Sequence, residues 1–165
     1  MDDSSASRVL DREAVRARCE AWRAAGETIV FTNGCFDILH VGHARYLEQA
    51  RSLGTRLVVG INSDDSTREL KGPARPFVPE DERAEMVASL RAVDAVSIFG
   101  ELRPDELIKV VRPHIHVKGG DYRPEDLPEA ATVRAMGGEV RVLMLVPDRS
   151  TTRLLDLARG AGKRP

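Results

Sequence analysis

Two histidines three residues apart, His40 and His43, flank Gly42 in the stretch Thr32-Asn33-Gly34-Cys35-Phe36-Asp37-Ile38-Leu39-His40-Val41-Gly42-His43. On the first turn of a helix such a pair projects to one side, so two imidazoles can face one ligand. Gly34 and Gly42 remove side-chain bulk where backbone must bend or a phosphate must approach, and a helix start adds unpaired amides and a dipole that favours anions. The local chemistry suits the phosphates of a nucleotide. Two other readings stand beside it: histidines at the surface or core edge, and a metal site that lacks an evident third ligand.

Three more clusters carry polar chemistry. Arg68, Lys71 and Arg75 crowd the segment from Asn62 to Pro76, either as cations for a phosphate or as a solvated polar loop. In Lys118-Gly119-Gly120-Asp121-Tyr122 paired glycines let backbone approach a base or ribose while Asp121 accepts hydrogen bonds; a plain glycine turn is the alternative. Ser150-Thr151-Thr152-Arg153 offers hydroxyls that cap a helix or bind phosphate oxygens.

The elements around these clusters alternate. Helical spacing of Val15, Cys19 and Trp22 predicts a helix over 11–25, which Gly26 stops. Apolar, β-branched runs predict strands at 28–31, 57–61, 95–99, 115–117 and 139–146. Helices are expected at 44–50, 80–90, 104–111, 127–136 and 151–159, with a long connection over 62–79, and the polar first seven residues are expected to be mobile. Strands alternating with helices imply parallel pairing with both faces covered. The expected fold is therefore an α/β, Rossmann-like three-layer sandwich with a mostly parallel five-stranded sheet, and every cluster lies at a strand end, where such sheets bind ligands. The GxGxxG fingerprint is absent after the first strand, which disfavours a nicotinamide or flavin oxidoreductase.

At 165 residues the chain suffices for one domain, divided here into a polar tail and helix (1–27), the main domain (28–160) and a polar tail (161–165). Twenty-five basic against 26 acidic side chains leave no excess to attract nucleic acid or an anionic membrane. No apolar run approaches a membrane span and the first residues lack a secretory signal, so a cytoplasmic location is expected. Cys19 and Cys35 are read as thiols, too few for a disulfide framework.

The stretch from Asn33 to His43 closely resembles the signature of the HxGH nucleotidyltransferase superfamily, and the resemblance covers nearly the whole chain. Those enzymes join a nucleoside triphosphate to a phosphate-bearing acceptor and release pyrophosphate. The resemblance implies that His40 and His43 contact the triphosphate and stabilise charge at the α-phosphate, and that Asn33, Gly34, Cys35, Phe36, Asp37 and Gly42 shape the nucleotide site. It also places Arg83 near the triphosphate, Lys71 on the acceptor phosphate with Arg75, and Asp64 near nucleotide or acceptor hydroxyls. Lys118, Gly119 and Asp121 belong to the base and ribose, and Ser150, Thr151 and Thr152 to the triphosphate. Many relatives carry an arginine, a glycine and an apolar residue before that serine; here Pro147-Asp148-Arg149 intervenes, with Arg149 as the stand-in.

The lysine-bearing Lys118 loop is similar to that of adenylyltransferases making ADP-heptose from heptose 1-phosphate, with D-glycero-D-manno-heptose 1-phosphate as the implied acceptor. ATP is favoured for that reason, with Mg2+ carried on the triphosphate. In many bacteria this domain is fused to a sugar kinase, and the length here suggests the free-standing form; a homodimer is plausible by analogy. The rivals are a cytidylyltransferase using CTP with a phospho-alcohol or phosphonate, and a non-catalytic nucleotide-binding module.

Overall fold

A computed structural model describes residues 4–121 and 123–144 of the chain. In order, α1 (Arg12–Ala24), β1 (Ile29–Gly34), α2 (Val41–Arg51), β2 (Arg56–Asn62), α3 (Asp64–Lys71), α4 (Glu80–Ala88), β3 (Ala95–Phe99), α5 (Asp105–Val111), β4 (Ile115–Gly119), α6 (Ala130–Ala135) and β5 (Glu139–Leu143) alternate along it. The five strands pair in parallel in the order β3-β2-β1-β4-β5. From β1 the chain winds outward to β3 and then returns to β4 on the other flank. Strand order therefore reverses between β1 and β4, which opens a crevice at their carboxyl ends.

The period of two along each strand sorts the core into two halves. Val30, Val59, Ile61 and Val117 face α2 and α4, packing with Tyr46, Leu47, Ala84 and Val87. Ile29, Phe31, Val58 and Phe99 face the other way, against Val15 and Cys19 of α1 and Leu107, Ile108 and Val111 of α5. The three layers and the parallel sheet agree with the expectation from sequence.

Several boundaries differ. β1 runs on through Thr32, Asn33 and Gly34, so the first part of the histidine stretch is strand, paired along β2 up to Gly34 opposite Ile61. The connection over 62–79 contains α3. Its polar sequence hides it: Ser63 caps the start by accepting from the Ser66 amide, Asp64 and Asp65 occupy the first turn and Arg68 and Lys71 the last, and the residues it buries are Ser66 and Thr67. The helix expected over 127–136 begins only at Ala130. The polar start is not loose from Ser4 onward. Ala6–Arg8 form a 3-10 turn, Leu10 donates to the Val96 carbonyl at 2.8 Å, and Ser5 reaches Glu85. The expected ends of the last strand and the helix over 151–159 lie outside the described residues.

The amino-terminal edge of the sheet is held by charge. Asp94 accepts from Arg51 (3.0 Å), Arg56 (3.2 Å) and the Leu57 amide (2.8 Å), and Arg56 also reaches Glu27 at 2.8 Å. Trp22 lies here, with the guanidinium carbons of Arg18 and Arg56 5.8 and 5.4 Å from its ring.

Candidate active site

A cavity of about 600 Å³ opens at the carboxyl ends of β1, β2 and β4, a size suited to a small-molecule site. Asn33 and Gly34 of β1, Asn62 of β2 and Lys118 of β4 reach it directly because those strands end there. Beyond Gly34 the chain turns through Phe36 at a φ of 47°, and the Phe36 ring folds back over Gly34, where an added Cβ would lie 3.0 Å from Cε2. Glycine there lets the ring approach without being displaced.

His40 and His43 form a reciprocal cap at the start of α2. His40 is the N-cap, its Nδ1 accepting from the Gly42 amide at 3.1 Å, while His43 Nδ1 accepts from the His40 amide at 3.4 Å. Their ring centroids are 3.9 Å apart. With Nδ1 accepting in both, a neutral ring carries its proton on Nε2. Burial, reinforced by the neighbouring His40, pushes His43 down to about 4, so that ring is a neutral Nε2–H donor at physiological pH. His43 lines the cavity, and His40 does not. Tyr46, one turn further along, fixes α2 over the crevice through Thr32 Oγ1 (2.8 Å) and the Val117 carbonyl (3.2 Å), and burial raises its hydroxyl to about 12.

The second cluster of charges is arranged differently. Arg83, assigned from sequence to the triphosphate, is 1% exposed and does not line the cavity. Its guanidinium donates to the Val78 carbonyl (2.9 Å), the Cys35 carbonyl (2.5 Å) and Asp64 Oδ1 (2.8 Å). It is a clamp joining the end of β1, the start of α3 and the approach to α4. Asp64 is held in that clamp and is not a wall of the cavity. Asp37 touches the cavity, but its buried carboxylate accepts from Arg75 Nε and from the Phe77 (2.8 Å) and Val78 (3.1 Å) amides. Burial opposes its charge, yet those donors hold its pKa below the ordinary value. Arg75 therefore reaches the cavity on a carboxylate leash, its guanidinium 4.9 Å from the Phe77 ring. Arg68 is turned to Asp65 at 2.6 Å. Lys71 is exposed at the cavity mouth and, among the described residues, its ammonium has no carboxylate partner.

Cys35 and Phe36 line the cavity, whereas Gly42 is buried within the first turn of α2. Gly119 ends β4 opposite Leu143, and Asp121 is exposed; neither lines the cavity. Tyr122, Arg149, Ser150, Thr151, Thr152 and Arg153 lie outside the described residues.

Two cavity-lining groups, Arg103 and Glu129, and the buried His116 bonded to one of them escaped the sequence reading. Arg103 lines the wall and donates to the Pro128 carbonyl at 2.6 Å. Glu129, 3% exposed, accepts from His116 Nε2 at 3.1 Å and lies 3.2 Å from the Lys118 ammonium. The signal for His116 was its place two residues before Lys118 on one strand, which puts both on one face. Glu129 had no such signal, since α6 brings it from a separate segment.

Asp37, Asp64 and Glu129 are each tied to an arginine, a lysine or backbone amides, and no three His, Cys, Asp or Glu side chains converge among the described residues. This donor set suits magnesium that arrives on triphosphate oxygens and keeps its waters, rather than a cage built by the protein.

Residues 31–154 match the cytidylyltransferase-like family. The chain belongs to that family. Similar proteins include the bifunctional protein HldE of Syntrophotalea carbinolica, 51% identical over 150 residues, and that of Pseudomonas paraeruginosa, 52% identical over 154. These alignments cover 91% and 93% of this chain but 31% and 32% of the relatives, so the chain spans about a third of the proteins it matches. The crystal structure of the lipopolysaccharide core biosynthesis protein from Thermoplasma volcanium superposes with a TM-score of 0.61 at 27% identity, covering 73% of this chain and 98% of that one. The cytidylyltransferase-like fold and the histidine stretch at its first strand-to-helix turn thus coincide in one chain.

Proposed function

We propose that this chain is an adenylyltransferase that joins ATP to heptose 1-phosphate, giving ADP-heptose and pyrophosphate. An oxygen of the acceptor phosphate attacks the α-phosphorus in line, and the bond to the β-phosphate breaks as pyrophosphate leaves. Such a transfer gains from positioning and from donors aimed at developing charge, and needs no covalent enzyme intermediate. The observation that carries the reading is the capped His40/His43 pair, which presents a neutral Nε2–H of His43 to a cavity at the switch point. Lys118 and Asn33 lie on the same wall, and Lys71 and Arg75 supply cations at the mouth for the acceptor phosphate. Ser150, Thr151 and Thr152 are assigned to the triphosphate by resemblance. Magnesium bound with ATP neutralises phosphate charge and orients the leaving group. The heptose assignment is supported by relatives named HldE at about half identity and by the Lys118 loop.

The test is pyrophosphate release from ATP or CTP with heptose 1-phosphate, a phospho-alcohol and a phosphonate as acceptors. Turnover with ATP and heptose 1-phosphate is expected. Turnover with CTP alone would transfer the chain to the cytidylyltransferases, and nucleotide binding without pyrophosphate release for any acceptor would make it a binding module.

A further inference from the structure

His116 and Lys118 alternate along β4 and therefore share one face of the sheet, the face that carries Phe31 and Asn33 on neighbouring β1. Glu129, the N-cap residue of α6, closes over that face. A single oxygen, Oε1, lies 3.1 Å from His116 Nε2 and 3.2 Å from the Lys118 ammonium, which is also 3.3 Å from Asn33 Oδ1. His116 is wholly buried and stacked on Phe31, with ring centroids 5.5 Å apart. Burial lowers its pKa, and the neutral ring in its Nε2–H form donates a hydrogen bond to the carboxylate. Burial also opposes charge on Glu129, but the bond from His116 and the Lys118 charge outweigh it and bring the acid to about 2. Glu129 is thus an anion whose position is set from the core side by a wholly buried imidazole.

We propose that Glu129 is a positioning residue for nucleotidyl transfer: backed by His116, it holds the Lys118 ammonium against Asn33 at the cavity wall, where charge develops on the α-phosphate. The inference rests on the proposed reaction for its turnover effect, though not for its effect on nucleotide binding. Glu129→Gln keeps an acceptor for His116 and removes the charge that restrains Lys118. The released ammonium can then follow the phosphates of the ground state, which strengthens binding of the triphosphate without stabilising the transition state.

The experiment is a double-mutant cycle over Glu129→Gln and Lys118→Met. It is read by equilibrium titration with magnesium ATP, by turnover and by thermal unfolding. Glu129→Gln is expected to tighten ATP binding about 3- to 10-fold while lowering kcat about 10- to 100-fold. In the Lys118→Met background the same change should alter binding by less than about 2-fold. Additive effects in the two backgrounds, or weaker binding together with a lowered Tm, overturn the inference, because a merely structural glutamate acts that way. A coupled cycle in a protein that turns over no substrate pair would sustain the Glu129–Lys118 pairing and remove the proposed reaction. Robust turnover with an additive cycle would do the reverse.

Discussion

At the β1–α2 turn the Nδ1 atoms of His40 and His43 are used for helix capping, and His43 lines the cavity. Along α3 and the chain that follows, Arg83 is closed on Asp64 and two carbonyls, and Arg75 is attached to Asp37. Both regions are dense in polar side chains and both border the same cavity. They differ in exposure: Arg83 is 1% exposed and its donors meet acceptors from three segments, so removing it leaves three part-buried oxygens without their donor. Proximity to a site in sequence therefore does not separate a group that meets substrate from one that holds the walls apart. The number of internal partners does.

That contrast can be broken by four measurements. His43→Ala should lower turnover by about 10²- to 10³-fold, as for loss of one donor to a developing oxyanion, with the fold retained. Wild-type-like turnover would remove His43 from the chemistry. Arg83→Met should instead cost about 1–3 kcal/mol of stability in denaturant titration, because the part-buried Val78 and Cys35 carbonyls and Asp64 lose their shared donor. A stable Arg83→Met protein with poor turnover would return Arg83 to the triphosphate. Lys71→Ala should raise the acceptor KM about 10-fold while stability stays within about 0.5 kcal/mol, as befits an exposed cation at the mouth.

The smallest effect concerns pH. The folded pKa of His43 is about 4 against an ordinary 6.5. Between those values the unfolded chain binds a proton that the folded chain refuses, so stability is full above about 6.5 and falls as pH drops toward 4. NMR titration of His43 should give a midpoint near 4 in the free protein, and His43→Gln should flatten the stability slope in that window. A midpoint near 6.5 would mean that the ring is not buried as described.

The sheet, its parallel pairing and the place of the histidine turn were legible because they rest on local patterns: β-branched runs, helical spacing, and glycine where Phe36 folds back over Gly34. Helix α3 was not legible, since its stability comes from Ser63 capping and charge at its ends rather than an apolar stripe. The bonds that tie Arg83 to Asp64, Cys35 and Val78 were not legible, because these partners lie far off along the chain or at a distance no periodicity marks. Glu129 shows the same limit in the opposite sense. It is a functional candidate that looked like one more acidic residue in a charged segment, and only the placement of the α6 N-cap beside β4 brings it to Lys118.

The chain's one tryptophan sits between Arg18 and Arg56 at the amino-terminal edge of the sheet, opposite the end where the strands open into the cavity. Its fluorescence is therefore an intrinsic signal for loss of the folded state that a ligand entering at the far end leaves largely undisturbed. One optical channel can then follow integrity while a labelled nucleotide follows occupancy, in the same cuvette.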